Sequence, residues 1–134
     1  MEQNQPFQLL DIILLESTFK RIVVVSPLSQ EFEQKNNLVI EHDISVDMLA
    51  VFLTVEHSLI MKGVEEVTTF TKMVAVFNNP KNPNIPLDVF INVNAPAVIF
   101  PFIREHLASI SAKAGLYPIL LPLVNFVKRA EDNK

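Results

Sequence analysis

Cysteine is absent from the 134 residues, glycine occurs only twice, and 11 Lys and Arg are outnumbered by 15 Asp and Glu. Each shortage removes a class of function. Without cysteine there is neither a disulfide scaffold nor a thiolate metal site, which fits a reducing compartment. Gly63 and Gly115 stand too far apart to build a glycine-rich phosphate loop. The formal charge of −4 leaves no cluster of Lys and Arg to neutralise phosphates, so a nucleic-acid partner is not expected. No Ser/His/Asp or Cys/His arrangement stands out, and the chain is read as a non-enzyme that needs no cofactor.

Two further absences bear on location. The start, MEQNQPFQLL, has no basic segment and no small-residue cleavage site, so no secretory signal is expected and the cytoplasm is the default. The longest uncharged apolar runs, residues 89–103 and 114–127, are too short and too broken by proline to be expected as membrane spans. Yet apolar residues make up 49% of the chain and mean hydropathy is +0.30. Such an excess in one domain, residues 1–134, implies that part of it is covered by other copies of the chain or by a bound partner.

The first two thirds read as sheet. Residues 7–25 begin apolar and then alternate, with Leu15, Phe19 and Val23 against Glu16, Thr18 and Lys20. Residues 26–37 are polar and contain Pro27, the mark of a connection. Residues 38–47 and 50–62 alternate cleanly, Gly63 offers a turn, and residues 65–77 are rich in Thr and Val with apolar residues on both parities. Three prolines and four asparagines make residues 78–86 a loop. Residues 87–93 fit either a short strand or a helical lead-in, and the helical reading is preferred.

One long helix is expected over residues 95–114. Asn94 is its candidate N-cap, Pro96 sits in its first turn, Gly115 closes it, and Pro101 should kink it. Ile99, Phe100, Ile103, Leu107 and Ile110 form a stripe at helical spacing, the pattern of a helix laid on a sheet. The opposite side mixes Arg104, Glu105, Ser109 and Ser111 with Val98, Phe102, Ala108 and Ala112. Short side chains there let a second helix approach, so Val98, Phe102, Ala108, Ser109, Ser111 and Ala112 are the candidate interface of a homo-oligomer. Beyond Gly115, Pro118 and Pro122 hold an almost wholly apolar segment extended. The sum is an α+β domain with a four-stranded antiparallel sheet, one long helix packed on one face, a proline-rich crossover, and a second helix that is short or absent.

Chemistry is sparse. His42 and His57 fall on apolar strand faces, and a hairpin turning near Leu49 and Ala50 would set their rings opposite each other, as in a metal site. Glu41, Asp43 and Glu56 lie on the other face by parity, so both histidines are read as structural and no metal is expected. His106 lies at the edge of the helical stripe, and adjacent helical residues such as Arg104 and Glu105 point some 100° apart, so neither is read as catalytic. Glu16, Glu41, Asp43, Glu56 and one of Glu65 or Glu66 should gather on the outer side of the sheet, where a basic partner could dock.

FPFIRE, followed by Gly115, Pro118 and the triplet Val124, Asn125, Phe126, resembles the signature of the SecB family of bacterial export chaperones. Asn94, Ala95, Pro96, Phe100, Pro101, Phe102, Arg104, Glu105, Gly115, Pro118, Pro122, Asn125 and Phe126 carry the likeness, which is looser upstream. The resemblance implies an ATP-independent chaperone that assembles as a dimer of dimers and keeps unfolded preproteins competent for translocation. It implies that the crossover forms one wall of a client groove, with Leu116, Tyr117, Leu120, Leu121, Leu123 and Phe126 as client-binding residues. The acidic face would then dock the translocation motor SecA. In the family a second long helix and a flexible tail follow the Asn-Phe pair, whereas only eight residues follow Phe126 here. Two rival readings are a chaperone dedicated to one partner, such as a toxin-antitoxin pair, and a carrier of a small molecule or lipid held between helix and sheet.

Overall fold

Four runs of alternating side chains become four antiparallel strands in the computed structural model of the chain, which describes residues 3–22 and 32–133. They are β1 (Leu9–Arg21), β2 (Glu33–Ile44), β3 (Met48–Met61) and β4 (Val64–Asn78), joined in the order β1-β4-β3-β2. The two richest in buried side chains, β3 and β4, lie at the centre. Val23 and Val25, expected in the first strand, and Pro27 of the expected connection lie outside the described residues.

The register corrects two expectations. Residues 33–37 pair fully with β3, from Glu33 opposite Ile60 to Asn37 opposite Glu56, so this polar stretch is strand and not connection. Polarity misled because β2 is an edge strand whose outer part faces water on more than one side. The β2–β3 turn lies at Ser45 to Met48, where the Ser45 N–H donates to the Met48 carbonyl at 2.8 Å and the Ser45 Oγ accepts the Met48 N–H at 3.1 Å. His42 therefore opposes Val51, and His57 opposes Asn36. Six residues of strand, roughly 20 Å, separate the two histidine positions, and the imagined pair does not form.

At the β3–β4 turn Lys62 and Gly63 both have positive φ, 50° and 79°, as a tight hairpin requires. In β1 the register slips between Leu14 and Glu16. This bulge lets Ile12 and Leu14 share the helix-covered face with Ser17 and Phe19, although their numbers differ in parity.

Helix α1 is longer than the sequence pattern suggests, running continuously over Leu87–Lys113. Asn94 is not its cap: it has helical angles, φ −70° and ψ −48°, and its side chain caps nothing. The lead-in Leu87–Val89 is helical as preferred, and a wide five-residue turn, Phe90–Asn94, stands just before Pro96. A proline cannot donate to the preceding turn, and a widened turn accommodates that loss. The helix continues through Pro101 and ends at Gly115, whose φ of 78° is the left-handed closure expected of it.

By length and composition α1 is long and apolar enough to cross a membrane, with mean hydropathy 1.3 over an 18-residue stretch. That departs from the sequence estimate, which counted only uncharged residues and so bounded the apolar run by Asp88 and Arg104. Here the helix lies along the sheet. Ile99, Ile103 and Leu107 are almost fully buried against Leu49, Val51, Leu53 and Val55 of β3 and Met73, Ala75 and Phe77 of β4. Phe90 closes one end of this core, stacked on Phe7 with ring centres 3.8 Å apart and edge-on to Phe77 at 4.8 Å. Ile110, at the far end of the stripe, is only partly buried. A short second helix, α2 (Phe126–Asp132), follows the crossover.

Candidate binding site

The crossover, residues 114–125, has no helix or strand of its own, so its backbone needs other partners. Ser111 supplies several. Its carbonyl accepts the Leu116 N–H at 3.1 Å, and its Oγ accepts the Ile119 N–H at 2.8 Å while donating to the Ala108 carbonyl at 3.0 Å. Arg104 Nε donates to the Leu121 carbonyl at 2.8 Å, and Arg21 donates to the carbonyl of Ala114 at the helix end. Asn125 closes the segment as N-cap of α2, its Oδ1 accepting the Lys128 N–H at 3.1 Å.

So clamped, the segment points its side chains two ways. Ile119 and Leu121 are buried, Ile119 beside Leu59 and Val67, Leu121 with the main core. Tyr117, Leu120 and Leu123 stand outward, 71%, 60% and 82% exposed, and Leu116 is half-buried. Of the six expected client-binding residues, the structure thus leaves Tyr117, Leu120 and Leu123 on the surface. Leu121 and Phe126 are corrected to core positions, with the Phe126 ring edge-on to Phe100 at 5.8 Å between centres. Beside Leu121 a narrow apolar cleft of about 20 Å³ is lined by Leu38, Val55, Phe100, Pro122 and Val124.

The expected oligomer residues divide similarly. Val98, Phe102, Ser109 and Ala112 are exposed and share one side of α1 at helical spacing, and Ala108 is half-buried. Ser111 is fully buried by its own chain and is corrected from an interface residue to the anchor of the crossover. On the outer side of the sheet the register brings Glu16, Glu41, Asp43 and Glu56 to one face, as expected. That face is not purely acidic, because Lys72 stands opposite Glu16, with its Nζ 5.2 Å from the centre of the Phe52 ring.

The histidines serve the frame. His106 Nε2 lies 2.7 Å from Ser17 Oγ and ties α1 to β1. His57 is 1% exposed, its Nδ1 bonded to Asn36 Oδ1, and burial pushes its pKa from 6.5 down to about 4. The fold therefore prefers the neutral ring, so its contribution to stability is complete above pH 6.5 and is lost as pH falls from 6.5 toward 4. Urea unfolding at pH 7 and pH 4.5 checks this. The midpoint should fall more in the wild type than in His57→Gln, and equal falls would contradict it.

Sequence reading missed the anchoring roles of Ser111, Arg104 and Arg129, the last of which donates from Nη2 to the Leu38 carbonyl at 2.7 Å. No pattern announces a side chain that serves a distant carbonyl. The burial of Ile119 and Leu121 was signalled by their spacing of two, the period of an extended chain lying on a surface.

A family model described as preprotein translocase subunit SecB matches residues 22–131. The protein-export protein SecB of Burkholderia lata is 26% identical over 132 residues, covering 92% of this chain and 80% of its own. That of Burkholderia multivorans has the same identity and coverage. Among solved structures, the Mycobacterium tuberculosis Rv1957 SecB-like chaperone, in complex with a ChAD peptide from the Rv1956 HigA1 antitoxin, shares the fold. Its TM-score is 0.76 at 16% identity, with 89% of this chain and 91% of that chain covered. The four-stranded sheet and the long helix agree with this likeness, and the chain belongs to the SecB family of chaperones.

Proposed function

We propose that the chain is an ATP-independent chaperone that binds extended, unfolded preproteins along its crossover and keeps them translocation-competent in the cytoplasm. One observation carries this reading: Tyr117, Leu120 and Leu123 are exposed on a backbone segment held in place by Ser111, Arg104 and Arg21. A held backbone presents apolar side chains without the ordering cost a loose loop would pay on binding. Covering roughly 400 Å² of apolar surface on these and neighbouring residues is worth on the order of 10 kcal/mol before the client's own ordering cost, which leaves micromolar affinity within reach. The test is a titration of a labelled, reduced and carboxymethylated polypeptide with the purified chain, with and without ATP. Saturable micromolar binding that ATP does not change supports the reading, and no binding to several unrelated unfolded chains refutes it.

The exposed side of α1 supports assembly through Val98, Phe102, Ala108, Ser109 and Ala112, as a dimer or a dimer of dimers. Light scattering should give a mass above that of one chain at micromolar concentration, and Ala108→Arg should lower it by placing a charge in a desolvated seam. A monomer in the wild type would contradict the assembly. The acidic outer face, with Glu16, Glu41, Asp43 and Glu56, suits a basic docking surface such as that of the SecA motor.

A dedicated chaperone is the second reading, favoured by the peptide complex of the mycobacterial neighbour. It predicts tight binding of one partner and none of unrelated chains. The carrier reading loses support, because the space between helix and sheet is filled by Leu53, Ile99, Ile103 and Leu107, each at most 1% exposed.

A further inference from the structure

A row of polar side chains runs beneath α1 and cuts the interior in two. On the helix-covered face of the sheet Ser17 of β1 lies opposite Thr71 of β4, Thr69 of β4 opposite His57 of β3, and His57 opposite Asn36 of β2. A diagonal of hydroxyls, one imidazole and one amide therefore crosses all four strands. On one side of it lies the main core, with Leu53, Val55, Met73, Ile103 and Leu107. On the other lies a small cluster of Leu59, Val67 and Ile119, edged by Phe19, Phe32 and Leu116.

This belt is incompletely bonded. Asn36 Oδ1 can only accept, so His57 Nδ1 donates to it and Nε2 of the neutral ring is left as an acceptor. His57 is 1% exposed and Thr71 is fully buried, yet neither His57 Nε2 nor Thr71 Oγ1 has a hydrogen-bond partner among the described residues. A buried polar atom without a partner destabilises the closed structure, and water that reaches it on opening removes that cost. Beyond the belt, Glu66 stands where the β3–β4 register shifts between Leu59 and Ile60, and its buried Oε2 likewise has no partner among the described residues.

The clamps on the crossover divide in the same way. Ser111 and Arg21 hold its first half, at Leu116, Ile119 and the Ala114 carbonyl, and Ile119 packs in the small cluster. Arg104 holds the second half at the Leu121 carbonyl, and the Leu121 side chain packs in the main core.

We propose that the two clusters are two cooperative units: the end of the sheet beyond the belt, together with residues 116–119 of the crossover, opens rarely and as one body while the main core stays closed. The belt is the boundary because it replaces apolar contact between the clusters with groups that gain hydrogen bonds when water enters. The joint then lies between Ile119 and Leu121, so Tyr117 moves with the small unit and Leu123 stays with the large one. This goes beyond the client-binding reading and does not rest on it, since its test uses no client.

The experiment is native-state hydrogen exchange of the full chain at low urea concentrations, followed residue by residue by nuclear magnetic resonance. The Leu59, Val67 and Ile119 amides should share one urea dependence, with protection about 100-fold below that of Leu53 and Ala75. Thr71→Val, which removes the orphan hydroxyl and lets the clusters touch, should raise the protection of those three amides by about tenfold. His57→Leu should act in the same direction and serves if Thr71→Val folds poorly. Protection that declines step by step from Val55 to Leu59, each amide with its own urea dependence, is fraying of a sheet end and overturns the proposal. Protection at Ile119 equal to that at Leu53 overturns it too. Unchanged or lower protection in the folded variants would mean that the belt's polar atoms are satisfied in the closed structure, and overturns the belt as the boundary.

Discussion

Leu121→Asp should unfold the chain or cost more than about 4 kcal/mol of stability, whereas Leu120→Asp, one residue away, should change stability by less than about 0.5 kcal/mol. The two leucines share a segment, a sequence context and a side chain. They differ in direction: Leu121 is 1% exposed in the core with Phe100, and Leu120 is 60% exposed. A carboxylate at Leu121 would be desolvated among the apolar side chains of the core. Urea unfolding followed by far-ultraviolet circular dichroism decides the matter. Similar losses in both variants would mean that the crossover is not held in the alternating arrangement described here.

The second large effect is on binding. Replacing Tyr117, Leu120 and Leu123 together by serine removes most of the outward apolar surface of the crossover and none of its inward anchors. If each side chain gives up even half of the transfer free energy of a buried leucine, the loss is about 3 kcal/mol, or on the order of 100-fold in affinity. Thermal unfolding should be unchanged, because all three are exposed in the wild type. A folded triple variant that holds clients with wild-type affinity would move the binding surface elsewhere on the molecule.

Much of this architecture is legible in the sequence because burial is periodic. The strand alternation and the α1 stripe place the core, and the spacing of Pro118 and Pro122 excludes regular structure from the crossover. Legibility fails where a residue's role is set by something far along the chain. Residues 33–37 look like a loop because an edge strand needs few apolar side chains, and only their pairing with β3 makes them strand. An offset of a few residues in the placing of one turn was enough to bring His42 and His57 together on paper. Ser111 looks like one more small polar residue on an outer helix face, yet its Oγ is the acceptor that fixes Ile119.

The signature residues gain a physical account in the same way. Gly115 takes the positive φ that ends α1, and Arg104 holds the Leu121 carbonyl. Asn125 caps α2, and Phe126 packs on Phe100. Each of these fixes one joint of the crossover, so the block Asn94 to Phe126 encodes a shaped wall more than it encodes chemistry. The chaperone role proposed above needs a firm apolar surface of this kind.

The central claim is that this wall holds unfolded chains unaided. The most direct measurement is light scattering from a reduced, aggregating model client mixed with an equimolar amount of the purified protein, without ATP, for several unrelated clients. The account predicts that the wild type suppresses scattering for each client, and that the Tyr117, Leu120 and Leu123 triple variant, equally folded, does not. Unchanged scattering in the presence of the wild type would contradict it.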